Sequence, residues 1–146
     1  MNLPYNAPLS RKRTQEIINC LILPDNANVL DIGCGESEFL LEIRRKHKIS
    51  GLGIDIDGNM INTANFKAAE SKFDSEITFQ EIDARKCNLV SNTYDLIICV
   101  GAEYIWGSYI EAIKQIKGYA KTNGYIVLGT IFWKKEPNKM YLELMN

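Results

Sequence analysis

Gly33 and Gly35 stand two residues apart directly after an apolar run, Asp55 follows them by about 20 residues, and Asp83 closes a third apolar run. Glycines at such a place let the chain turn sharply and leave bare backbone for a ligand to approach. A carboxylate at the distance of Asp55 can accept both hydroxyls of a ribose. Asp83 is placed to accept a hydrogen bond from an adenine amino group. The pattern points to a nucleoside held across the ends of several strands. A dinucleotide is the rival ligand, but its Gly-x-Gly-x-x-Gly fingerprint needs glycine where this chain has Glu38. Asp31, Glu36 and Glu38 also surround the loop with negative charge, which would repel a pyrophosphate and favour a ligand that carries positive charge.

The elements that must position these residues alternate along the chain. Ser10 can cap a first helix with Ile17, Ile18, Leu21 and Ile22 on one stripe and Pro24 just past its end. Asn28 to Ile32 is a short apolar run without alternation, suited to a strand covered on both faces. After the glycine break, Phe39, Leu40 and Ile43 recur at helical spacing up to the basic run Arg44 to Lys48, where a helix C-terminus favours cations. His47, the single histidine, is expected to face solvent there. A strand over Ser50 to Ile56, a helix from about Gly58 to Lys72 with Met60, Ile61, Ala64 and Ala68 inward, and a strand over Ile77 to Ile82 repeat the alternation.

The third cycle has a strand over Tyr94 to Val100 and a capping box of Ser108 with Glu111. That box opens a helix expected to bury Ile110, Ile113, Ile116 and Ala120, and Asn123-Gly124 turns into a last strand, Tyr125 to Trp133. Five strands alternating with helices predict an α/β fold, a Rossmann-like doubly wound sheet, mostly or wholly parallel, with helices on both faces. Ligands of such sheets bind beyond the carboxyl ends of the strands, where the strand order reverses.

A chain of 146 residues with 46% hydrophobic residues is the size of one domain and can bury a core unaided. It divides into an N-terminal helical segment (1–27), a cofactor-binding core (28–133) and the start of a C-terminal extension (134–146). A formal charge of −1 supplies no broad basic field, so nucleic acid is not the expected partner; a small molecule is. Four cysteines without a Cys-x-x-Cys pair read as free thiols of a cytoplasmic protein, Cys34 filling a small space in the loop. No apolar stretch approaches the roughly 18 residues a membrane span requires, and no metal-ligand cluster is visible.

The runs Val29-Leu30-Asp31-Ile32-Gly33-Cys34-Gly35, Gly53-Ile54-Asp55, Asp83-Ala84, Tyr94 to Cys99 and Asn123 to Leu128 resemble, in order and spacing, the successive motifs of class I S-adenosylmethionine-dependent methyltransferases. The likeness spans nearly the whole chain, and the stretch from Gly101 to Gly107 with Gly129 to Pro137 is similar to a small-molecule-type branch. The resemblance implies S-adenosyl-L-methionine as cofactor. It places Asp31, Gly33 and Gly35 at the methionine end, Asp55 at the ribose, Asp83 and Ala84 at the adenine, and Cys99 to Ala102, Gly101 among them, in the floor, with Cys34 and Ile56 also against the cofactor. Tyr104 and Trp106 would meet the substrate, and Glu103 would act as general base. The motifs of nucleic-acid amino and cytosine-carbon methylation do not occur after the fourth strand. The implied reaction is in-line methyl transfer to a small acceptor; the alternative is a non-catalytic cofactor-binding or regulatory domain. Three departures stand out. Ser37 replaces a common third glycine, Thr130 replaces an acidic residue, and the chain stops before the family's two last strands, which predicts an uncovered sheet edge open to self-association.

Overall fold

A computed structural model of the chain describes residues 9–130. Its elements follow the order α1 (Arg11–Cys20), β1 (Ala27–Ile32), α2 (Glu38–Lys46), β2 (Ile49–Asp55), α3 (Gly58–Glu70), β3 (Ile77–Glu81), β4 (Tyr94–Val100), a 3-10 turn (Glu103–Trp106), α4 (Tyr109–Ile116) and β5 (Ala120–Gly129). The sheet has the order β3-β2-β1-β4-β5, and every neighbouring pair is parallel. The expected doubly wound fold is therefore present in its wholly parallel form.

Because β1 and β4 lie inside the sheet and both their faces are covered, the apolar residues run without alternation. On one face Val29, Leu96 and Ile98 pack with Ile18 and Leu21 of the first helical segment and with Leu40 and Ile43 of α2. On the other, Leu30, Ile32, Ile97 and Cys99 pack with Ile116 of α4 and with Ile105 and Trp106 of the 3-10 turn. At the amino ends of the strands, Asp95 accepts from the Asn28 backbone and from Lys121 Nζ, both at 2.8 Å, which ties β1, β4 and β5 together.

Both predicted caps form: Ser10 Oγ accepts from the Arg13 amide and Ser108 Oγ from the Glu111 amide, each at 3.3 Å. The capping box is only half made, since the Glu111 carboxylate turns to Lys114 at 2.6 Å. Several inward positions are corrected. Ile22 is 81% exposed because α1 ends at Cys20 and the backbone turns extended at Leu21. The short helix α4 buries only its i,i+4 stripe Ala112 and Ile116, leaving Ile110 and Ile113 50% and 38% exposed, and Ala120 belongs to β5. Asn123-Gly124 does not turn into the last strand but lies within it. Asn123 takes φ +67°, and the pairing of β5 with β4 shifts register there, so the dipeptide makes a bulge. His47 is half-buried with Nε2 enclosed and unpartnered among the described residues, contrary to the exposed position expected. The end of the predicted last strand (131–133), the segment 134–146 and residues 1–8 lie outside the described residues.

Candidate functional site

The carboxyl ends of β1 to β4 open on one cavity of about 950 Å³, at the point where the strand order reverses between β1 and β4. Behind β1 the loop is stitched to the neighbouring strand: the Gly33 and Cys34 amides both donate to the Ile54 carbonyl, at 2.8 and 3.0 Å. Gly33 has φ +68°, and a Cβ there would lie 2.3 Å from that of Ala102, so the loop passes against the segment after β4 with no room for a side chain. Gly35 also has a positive φ, +52°, but a Cβ there would meet nothing within 4 Å; its bare backbone borders open space.

Asp55 ends β2 and serves the loop directly. Its Oδ2 accepts from the Gly35 amide at 2.8 Å and its Oδ1 from the Asp57 amide at 2.9 Å. Asp57 in turn caps α3 by accepting from the Asn59 amide. The carboxylate expected at a ribose thus also fixes the glycine loop, a role its spacing alone did not announce.

Asp31 is the most unusual group. It is 4% exposed, lines the cavity, and its carboxylate forms no hydrogen bond among the described residues. Burial, and next the charge of Asp55, push its pKa from 3.8 up to about 7. Cys34 beside it is pushed far up as well, by burial first and then by Asp31 and Asp55, so its thiol stays protonated and inert. The two glutamates of the loop are not bare: Lys67 of α3 reaches Glu36 at 2.7 Å and Glu38 at 2.5 Å. The uncompensated negative charge expected around the whole loop is therefore concentrated on the inner pair, Asp31 and Asp55.

Asp83, two residues past β3, lies with Ala84 and Arg85 along the same cavity. Arg85 donates to Asp83 from Nε at 3.0 Å, Nη2 at 2.8 Å and its backbone amide at 3.0 Å. Those bonds hold the Asp83 carboxyl down at a pKa of about 2.

Of the residues singled out from sequence, Asp31, Gly33, Cys34, Gly35 and Asp55 line the cavity, and so do Ile56, Asp83, Ala84, Gly101 and Tyr104. Three do not. Cys99 is fully buried within the core, Trp106 packs into the same cluster, and Glu103 is absent from the lining with its Oε2 enclosed and unpartnered. The 3-10 turn accounts for this: with three residues per turn Glu103 and Trp106 fall on one face, while Tyr104 and Ile105 between them border the cavity. Sequence reasoning missed Arg85, which the Asp-x-Arg spacing could have flagged, and Lys67 and Thr14, which reach the site from helices and carry no local signal. No cluster of three potential metal ligands occurs among the described residues, and none of their helices is long and apolar enough to cross a membrane.

Known proteins share this fold. A family model described as a methyltransferase domain matches residues 23–143. YjhP of Escherichia coli (strain K12) is 28% identical over 131 residues, 89% of this chain and 52% of that protein. Its crystal structure superposes with a TM-score of 0.85 over 97% of this chain and 57% of its own, at 24% identity. A methyltransferase of Geobacter sulfurreducens, crystallised with S-adenosyl-L-homocysteine, gives a TM-score of 0.87 at 25% identity over 97% of this chain and 57% of its own. One from Thiobacillus denitrificans, with the same ligand, gives 0.85 at 27% over 96% and 56%. The chain spans about half the length of the curated relatives it matches.

Proposed function

The chain belongs to the methyltransferase-domain family, and from that premise we propose that it binds S-adenosyl-L-methionine in this cavity and transfers its methyl group to a small-molecule acceptor. One observation carries the reading: Asp31, a nearly buried carboxylate without a hydrogen-bond partner among the described residues, faces the cavity beside a second carboxylate. An enclosed negative charge of that kind is costly until a cation meets it. A ligand bearing both an ammonium and a sulfonium answers that need, whereas the phosphates of a dinucleotide would worsen it.

The residues fit the cofactor. Asp31 and the bare backbone at Gly35 would hold its amino-acid end, Asp55 the ribose hydroxyls, and Asp83 with Ala84 the base. Ile56, an apolar side chain 67% exposed on the cavity wall, would cover a ring face. Bound there, the cofactor supplies a methyl group already activated by its sulfonium for in-line displacement. What the chain adds is alignment, an effect worth up to about 7–11 kcal/mol when the reacting atoms are well oriented. Val100, Tyr104 and Ile105 form the side of the cavity beyond β4 and would keep water from an acceptor. Glu103 does not line the cavity, so an acceptor whose nucleophile needs little deprotonation suits the site. The near-neutral charge of the chain favours a small acceptor over nucleic acid.

Calorimetric titration with S-adenosylmethionine, S-adenosylhomocysteine and NAD, with Asp55→Ala as control, tests the reading. Saturable binding of the first two, weakened in the control, is expected; uptake of NAD alone, or of none, would sink it.

A further inference from the structure

The Asp83–Arg85 pair does more than a surface ion pair requires. A carboxylate offers about four acceptor positions, and three on Asp83 are taken: the Arg85 amide and Nε on Oδ1, and Nη2 on Oδ2. One position, on Oδ2, is left. The side chain is 14% exposed and borders the cavity, and the fork of two parallel bonds from one guanidinium fixes the plane of the carboxylate. Arg85 is the only cationic residue lining the cavity among the described residues, and its partner is the one lining carboxylate so locked.

We propose that Arg85 is a positioning residue that holds Asp83 as a single-acceptor reader of the base, selecting a ligand whose ring carries an exocyclic amine. The assignment rests on the cofactor reading above and deepens it. A carboxylate with one open acceptor and a fixed plane accepts one N–H from one direction, which is what an amino-substituted purine presents. Freed of the guanidinium, Asp83 keeps only the bond from the residue-85 amide to Oδ1, so its carboxylate plane is no longer fixed and Oδ2 can turn to water. Recognition of the amine then weakens even though the carboxylate is still present. Arg85 touches Asp83 and not the reacting atoms, so its effect belongs in affinity and base selectivity.

The test is a binding cycle. Wild type, Arg85→Ala and Arg85→Lys are titrated with S-adenosylhomocysteine and with its analogue bearing hydrogen in place of the purine amine. Removing the amine should weaken binding to the wild type about tenfold and to Arg85→Ala by no more than about twofold, with Arg85→Lys in between because it keeps the charge but loses the fork. Equal losses in all three proteins would overturn the assignment, as would tighter binding of S-adenosylhomocysteine to Arg85→Ala, which would make the pair a latch. If the wild type takes up no S-adenosylhomocysteine, the cofactor reading itself fails; if it binds and only the cycle is flat, the role of Arg85 fails alone.

Discussion

Asp31→Asn should make the ligand-free chain more stable, and increasingly so as pH rises. The carboxyl has a folded-state pKa of about 7 against its ordinary value of 3.8, so the folded chain binds the proton more tightly than the unfolded one. The linkage sign follows: this group leaves stability untouched below about pH 3.8, subtracts progressively more as pH climbs towards about 7, and subtracts its full amount above. At about 1.36 kcal/mol per tenfold change in proton affinity, the penalty is roughly 1 to 2 kcal/mol near pH 5 and roughly 4 kcal/mol near pH 8. Asparagine has the same shape and no charge to desolvate. The gap between variant and wild type should widen by about 2 to 3 kcal/mol over that range, or about 5–10 °C in melting temperature for a chain of this size. Thermal melts of both proteins without ligand, at each pH, measure it. S-adenosylhomocysteine at about pH 8 should then raise the melting temperature of the wild type and leave the variant almost unmoved, since the enclosed carboxylate that meets the ligand's ammonium is gone. A gap that does not widen with pH, or a variant that is less stable at the alkaline end, would refute the account of Asp31 as an unpaired buried charge. The same charge thus opposes folding and serves binding, a known trade at functional sites.

Other outcomes follow from single features. Gly33→Ala, with φ +68° and a contact of 2.3 Å on Ala102, should destabilise by more than about 2 kcal/mol, while Gly35→Ala, in open space at φ +52°, should cost only about 1 kcal/mol yet weaken cofactor binding; urea melts and calorimetry on both variants separate the two. Ser37 sits at φ +64° with its Oγ buried and unpartnered among the described residues, so Ser37→Gly should gain about 1 kcal/mol in the same melts, and any loss would show that the hydroxyl has a partner. Glu103→Gln should leave cofactor affinity within about twofold of wild type, because the side chain does not border the cavity; a drop beyond about tenfold would restore its nomination. β5 forms an edge of the sheet whose outer side has no strand partner among the described residues, and light scattering across a concentration series should show self-association that a strand-breaking Val127→Pro reduces; a constant monomer mass would remove that expectation.

Much of the fold was legible because parallel strands covered on both faces must be continuously apolar, and the helices between them must carry one stripe. Runs such as Val29 to Ile32 and Leu96 to Cys99 admit few other readings, and Ser10 and Ser108 announce their helices through local hydrogen bonds. Gly33, Gly35, Asp55 and Asp83 could be placed for the same reason, since each sits at a fixed distance from the end of a strand, and the ends of parallel neighbours meet on one side. What tertiary structure alone decided were the groups whose position depends on elements distant in sequence. Lys67 crosses from α3 to Glu36 and Glu38, offsetting charge that has no partner nearby in the sequence. Asp31 acquires its raised pKa only when α1, α2 and the neighbouring strands exclude water from it and β2 brings Asp55 close. Glu103 stays outside the cavity lining because a 3-10 turn, rather than extended chain, follows β4, and a choice between those two conformations depends on packing against α4 and the core rather than on the four residues themselves. Periodicity and spacing are short-range quantities and survive in one dimension; solvent exclusion and charge pairing are set by which surfaces meet, and that is known only once the chain has folded.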